Sequence, residues 1–332
     1  MDNRWKRQRS LLWAAVVAIG VLPLLTRNVN LQHVLILFVM YAGLGEAWNI
    51  VTGLAGQTSF GHSAFFGIGA YAAAVAYWKY GASPWIGMAV GSFAAAALAF
   101  VISYPVFRLE GKYFSIATLA FGEIMMQLFK SWDYVDGATG IIIPVAPASL
   151  VNFQFHGEKL PYFYIAFAMF ILALAAFVAV ERSRFGMYLK AIKNNQDAAM
   201  SLGINPAKYK LLAMVSSAAL TALFGSFYAQ YILYIDPFMV FSLDLSLKIV
   251  LLTVLGGLGS VWGPILGAAL LIPLSEYTRI ALGGTGKGID LMVFGLLIMI
   301  VTSFQPKGII GLLGKRQPNL KGGASKDAST AA

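Results

Sequence analysis

This sequence predicts an all-α, polytopic membrane protein of about ten transmembrane helices, and three observations carry the prediction. The 332 residues are 59% hydrophobic and only 11% charged, with a mean hydropathy of +0.73, well outside the range of soluble globular chains. Apolar stretches of roughly 20 residues, the length that crosses a bilayer, follow one another along the chain. The basic residues gather in alternate intervals between those stretches, the asymmetry expected of a multi-pass protein.

Taken in order, the expected spans are roughly 11–26, 29–51, 63–80, 84–107, 113–130, 161–180, 208–232, 243–258, 261–282 and 289–304. The first follows the basic start MDNRWKRQR; Pro23, Leu24, Leu25, Thr26 and Arg27 offer no small-x-small cleavage site, so it reads as an uncleaved span. The eighth and tenth are short and must tilt little or thin the bilayer. With the N-terminus inside, seventeen of the twenty-four Lys and Arg fall in inside segments. Both ends are therefore expected in the cytoplasm. The organisation is a cytoplasmic N-tail (1–10), one transmembrane domain (11–312) and a disordered polar C-tail (313–332). Within that domain, 181–210 is the long cytoplasmic loop. The interval 131–160 is the long extracytoplasmic one, whose DGATGIIIP run predicts turns followed by a short extended piece.

Several function classes drop out at once. The net charge of +10 could suggest a nucleic-acid partner, but its confinement to loops and tails argues against one. There is no cysteine, hence no disulfide and no thiolate site. Three histidines (His33, His62, His156) supply neither an HExxH pair nor a triad spacing. No catalytic residue, metal site or cofactor of this chain's own is expected.

The loop ERSRFGMYLKAIKNNQDAAMSLGINPAKYK, Glu181 to Lys210, carries six basic residues and its own helical pattern. Met187 to Leu202 is predicted to be one helix, with Tyr188, Ile192 and Ala199 at helical spacing and Gly203 ending it. Asn205 and Pro206 then open the next span as N-cap and first helical residue. Such a helix is either a solvated amphipathic face or a docking element.

GLAGQTSFGHSAFFGIGAYAAA, Gly53 to Ala74, holds Gly53, Gly56, Gly61, Gly67 and Gly69, with Gln57, Thr58, Ser59, His62 and Ser63 among them. No Gly-Lys-Ser/Thr follows, so the run is no phosphate loop. The glycines suit close helix packing. The polar residues between them predict a broken or re-entrant helix facing a translocation path, since irregular backbone at membrane depth must be buried in protein or line water. Gly256, Gly257, Gly259, Gly263 and Pro264 make a similar break near the other end of the chain. Paired glycine breaks hint at a central substrate site. The two lie six spans apart and share an orientation, which argues against a simple inverted repeat.

Charges within spans are functional candidates. Glu46, Asn49 and Gly53 share a helical face, and Glu123 has Gln127 at i+4. With Gln57, Ser59 and His62 they form the candidate path lining, the alternative being hydrogen bonds that hold helices together. His62 reads either as a proton-coupling group or, more often for such a residue, as a packed hydrogen-bonding one. Asp244 with Lys248 and Glu276 with Arg279 are spaced for local ion pairs, and Asp290 for a helix start.

The order Asp197, Ala198, Ala199, three residues, Gly203 resembles the EAA loop of ABC importer permeases, with Asp in place of Glu. GLAGQTSFGHSAFFGIGAYAAA, YFSIATLAFGEI, RSRFG...AIKNN...AAMSLGIN and TVLGGLGSVWGPILGAAL occur in an order and spacing similar to the branched-chain amino-acid ABC transporter permease family, LivM subtype, over about 30–312. The resemblance implies a permease of a binding-protein-dependent importer in a bacterial inner membrane. It would pair with a homologous LivH-type permease, two cytoplasmic ATPase subunits that hold the ATP and magnesium, and a periplasmic binding protein. It implies that Arg184, Asp197, Ala198, Ala199 and Gly203 belong to the helix that docks on the ATPases. Met187 stands where a basic residue is common and Asn194 where an acidic one is, so that interface is less charged here. Some branches of the family carry urea, short amides or aromatic acids. An ion-coupled secondary transporter is the rival of another class.

Overall fold

The computed structural model describes residues 13–281 except 27, 108, 110 and 156, together with 292, 295, 296, 299 and 308–313. The expected N-tail, nearly all of the tenth span, Asp290 and the C-tail past Leu313 lie outside the described residues. The chain is helical: α1 (Trp13–Leu25), α2 (Val29–Asn49), α3 (His62–Tyr80), α4 (Pro84–Val106), α5 (Lys112–Lys130), α6 (Leu160–Arg182), α7 (Arg184–Asn194), α8 (Gln196–Ser201), α9 (Pro206–Ile232), α10 (Pro237–Val240), α11 (Leu243–Gly256), α12 (Gly263–Ala281) and α13 (Ile310–Leu313). Among the described residues, five stretches are long and apolar enough to cross a membrane: Val29–Leu54, Pro84–Val106, Leu160–Arg182, Pro206–Ile232 and Pro237–Gly256. α3, α5 and α12, nineteen residues each, pack with them.

Helix boundaries follow local chemistry. Asn28, Asn205 and Ser242 cap α2, α9 and α11 by accepting from the backbone N–H of Asn30, Lys208 and Leu245. Pro206 opens α9 as expected. α3 stops at Gly81, in the left-handed region at φ +59°.

Lipid tails are as apolar as leucine, so helices here associate through close contact of small residues. α3 and α9 cross so tightly that a methyl group on Gly69 would lie 2.0 Å from the Ala222 carbonyl oxygen. Ser226 Oγ donates to the Gly69 carbonyl at 2.8 Å across the same crossing. Gly267 meets the Leu252 carbonyl where α12 lies on α11. The glycine run therefore does serve helix packing.

The interval 131–160 turns through two 3-10 segments (Asp133–Val135, Gly137–Thr139) into β1 (Ile141–Ile142), matching the expected turns and extended piece. β1 pairs antiparallel with β2 (Tyr234–Ile235), Ile141 opposite Ile235. Trp85 Nε1 and Ser83 Oγ donate to the Leu150 and Val151 carbonyls, and buried Phe153 packs on Trp85, Tyr162 and Phe227.

Two expectations fail. The helix predicted over Met187–Leu202 is two helices, because Asn195 is extended (φ −158°, ψ 112°) and its side chain caps α8 at Ala198 N–H. Asparagine competes with helix continuation through such local bonds. The Asp244–Lys248 pair does not form, whereas the expected Arg279–Glu276 pair does. Asp244 is exposed in the first turn of α11, where the helix N-terminus already favours a negative charge.

Candidate functional site: a junction of two broken helices

Past Asn49, α2 widens into a π-helical turn over Ile50–Leu54 and then breaks. Gly56 is left-handed at φ +73°, and Gln57 N–H turns back to the Val51 carbonyl at 3.4 Å. Thr52 Oγ1 donates to the Gln57 carbonyl at 2.8 Å and holds the break closed. The second break follows α11, with Gly257 at φ +130° and Gly259 at φ +74°.

The two breaks meet. The buried Asn49 amide accepts from Gly259 N–H at 2.8 Å and donates to the Ser260 carbonyl at 3.0 Å, supplying backbone groups that have left their helix with partners. A methyl group on Gly53 would fall 2.0 Å from Asn49 Oδ1 and 2.8 Å from Gly259 N, so only glycine allows this approach. Asn49→Ala would strand both backbone groups. It is expected to cost about 2–4 kcal/mol, read as a lower melting temperature in detergent; an unchanged melt would mean that water replaces the amide at no cost.

Next to the junction, His62 lies fully buried at the start of α3. Its Nε2 is 2.8 Å from Ser217 Oγ and its Nδ1 3.0 Å from Ser59 Oγ. Ser217 Oγ donates its single proton to the Ala47 carbonyl at 2.6 Å, so it accepts from His62. That assigns the proton to Nε2, and Ser59 Oγ then donates to Nδ1. Trp48 Nε1 donates to the Ser59 carbonyl at 2.7 Å. Both ring nitrogens are engaged with protein, the packed reading of this histidine.

The seven candidate path residues do not share one surface. Glu46, Asn49, Ser59 and His62 are buried within the subunit, and Gln57 is half-buried. Glu123 and Gln127 lie apart on the exposed face of α5, joined by Gln127 Nε2 donating to Glu123 Oε1 at 3.0 Å. Ile116, Leu119, Ile124 and Leu128 are exposed on the same helix. Neither carboxylate oxygen of Glu46 has a hydrogen-bond partner among the described residues. A small cavity lies between α3, α4, α5 and α9, with Ser59, Phe65, Ser103, Thr118 and Met214 in its wall.

The loop helices cover the junction from one side. Leu189, Ile192 and Ala199 are buried, whereas Arg184, Asp197, Ala198 and Gly203 are exposed. Gly203 is left-handed at φ +80° just past α8. Leu202 (80%) and Met200 (47%), just before it in the chain, are exposed apolar side chains, as is Met187 (57%) on α7. From α7, Lys193 Nζ donates to the Gly53 carbonyl at 2.7 Å. Burial, and secondarily the neighbouring Lys190, lowers the Lys193 ammonium pKa from its ordinary value.

Ser217, Ser260 and Lys193 are site residues that sequence reasoning missed. Ser217 lies 155 residues from His62 and Lys193 lies 140 from Gly53, and no local spacing signals such pairs. Met200 and Leu202 could have been found, being apolar residues in a polar loop.

The apolar spans, packed through glycines and interrupted at a shared junction, are those of a multi-pass helical membrane protein. Residues 30–302 match the family described as the permease component of the branched-chain amino acid transport system, and the chain belongs to that family. The LivM permease protein of high-affinity branched-chain amino acid transport in Escherichia coli K12 is 27% identical over 98% of this chain and 80% of its own length. The LivH permease protein of the same strain is 26% identical over 82% of this chain and 91% of its own. BraD of Pseudomonas aeruginosa, likewise named a permease protein of high-affinity branched-chain amino acid transport, is 26% identical over the same shares. No solved structure matches. The chain is a transmembrane permease subunit of an ABC importer, one of a permease pair, with LivM-type features.

Proposed function

We propose that this subunit moves branched-chain or related small amino acids across the bacterial inner membrane, with both chain ends in the cytoplasm. ATP is hydrolysed in two partner ATPase subunits, and a periplasmic binding protein delivers the cargo to the pair formed with a LivH-type permease. The observation that supports this most is that Met187, Met200 and Leu202 are exposed apolar side chains in a charged loop, while Leu189, Ile192 and Ala199 of the same loop are buried against the bundle. Large apolar side chains left exposed in an otherwise charged loop suit a surface that a partner covers. α7 and α8 thus form the docking element for an ATPase, with Arg184 and Asp197 at its rim.

Glu123 and Gln127 line the translocation path on the exposed face of α5, between this subunit and its partner permease. A carboxylate exposed to lipid at mid-span would be costly, so this face suits protein or water. Asn49, Ser59 and His62 shape the path indirectly by holding the broken helices. ATP drives transport only by binding one conformation of the complex better than the other. Purification of the tagged chain from its native membrane in mild detergent is expected to recover two ATPases and a second permease. Recovery of the chain alone, with uptake that collapses with an ion gradient, would favour a secondary transporter.

A further inference from the structure

We propose that Lys193 is the positioning residue that carries movement of the loop helices into the junction of the two broken spans. This rests on the reading of α7 and α8 as the ATPase-docking element.

In an unbroken helix the Gly53 carbonyl would accept from Gln57 N–H, but that N–H turns back to Val51. The Gly53 carbonyl is thus an orphan acceptor at a helix C-terminus, where a cation is favoured. Lys193 supplies that cation from another element, at 2.7 Å. Its stem also lies against the break: a methyl group on Gly56 would be 2.9 Å from Lys193 Cγ. On its other side the same carbonyl meets the second break, since a methyl group on Gly259 would be 2.9 Å from Gly53 O. Asn49 then ties Gly259 and Ser260 to α2. A shift of α7 is therefore passed through one charge-assisted bond to two spans at once, α2 and the α11–α12 break. Lys190, the neighbouring cation, cannot substitute, because it is paired with Glu181 at 3.1 Å. The anchoring of α7 through buried Leu189 and Ile192 makes it move as a unit with the lysine.

The test uses the complete importer, with its partner subunits, in proteoliposomes. Lys193→Met keeps the aliphatic stem and removes the bond; Lys193→Arg keeps the charge. The chain has no cysteine, so Ala207→Cys, exposed in the first turn of α9 beside the loop helices and outside them, carrying a thiol-linked photo-crosslinker reports docking to the ATPase. The expected result is that Lys193→Met remains crosslinked to the ATPase and hydrolyses ATP, while substrate moved per ATP falls about tenfold, the scale of one charge-assisted hydrogen bond. Lys193→Arg should recover most of that ratio. A wild-type ratio in the methionine variant overturns the proposal and leaves docking intact. Loss of assembly in both variants overturns it too, by making Lys193 a structural lock. If the otherwise wild-type importer shows no crosslink at Ala207→Cys, the docking reading itself falls and takes this proposal with it.

Discussion

Gly225→Ala is expected to prevent a folded permease from accumulating. A methyl group on Gly225 would lie 1.9 Å from the Phe66 carbonyl oxygen and 3.1 Å from Ala70 N, where α9 crosses α3. Those atoms are backbone and cannot turn aside as a side chain could, so the helices must separate. That separation would break the Ser226–Gly69 bond at the same crossing and lose dispersion contact along both helices. Overpacking of this kind is expected to cost at least ~3 kcal/mol. The control is Gly122→Ala on α5, where the nearest atom to the new methyl, Ser63 Oγ, is at an ordinary 3.5 Å. There the change should be neutral or should stabilise by up to about 1 kcal/mol, since alanine is the better helix former. Yield of monodisperse protein and apparent melting temperature in detergent separate the two. Equal behaviour would mean that the α3–α9 crossing is not the tight contact described.

Gly203→Pro is expected to cut uptake by about tenfold or more while the subunit still inserts, because strain of roughly 1–3 kcal/mol falls on the docking element and not on the bundle. Gly203 holds φ at +80° and donates its N–H to the Met200 carbonyl at 2.9 Å. Proline fixes φ near −65° and has no N–H, so the turn cannot survive. Leu202, 80% exposed, and the end of α8 would then be re-aimed. Gly203→Asn tolerates the left-handed region and should keep most of the activity. Uptake and ATPase rates measured together on the reconstituted importer decide the matter. Full transport by the proline variant would remove α8 from the docking element.

Much of this architecture is legible in the sequence because the bilayer imposes a simple rule: about 20 apolar residues for each crossing, with polar punctuation between. The starts of α9 and the turns before β1 were equally legible, since asparagine, proline and glycine act locally there. The division of the loop helix at Asn195 was not. Helical periodicity runs through it, and the competing side-chain bond to Ala198 leaves no mark on the periodicity. The same reason explains Asp244, whose i,i+4 spacing to Lys248 meant less than its place in a first turn.

From its own residues the sequence determined a multi-pass helical protein, the need for two glycine breaks, and the capped entry to α9, because hydrophobic length, backbone strain and capping are properties of neighbours along the chain. Only the tertiary structure decided that the two breaks touch, that His62 is locked between Ser59 and Ser217, and that Lys193 reaches Gly53. Buried backbone groups take whatever partner the packing brings within about 3 Å, and which partner that is depends on how helices far apart in the chain cross.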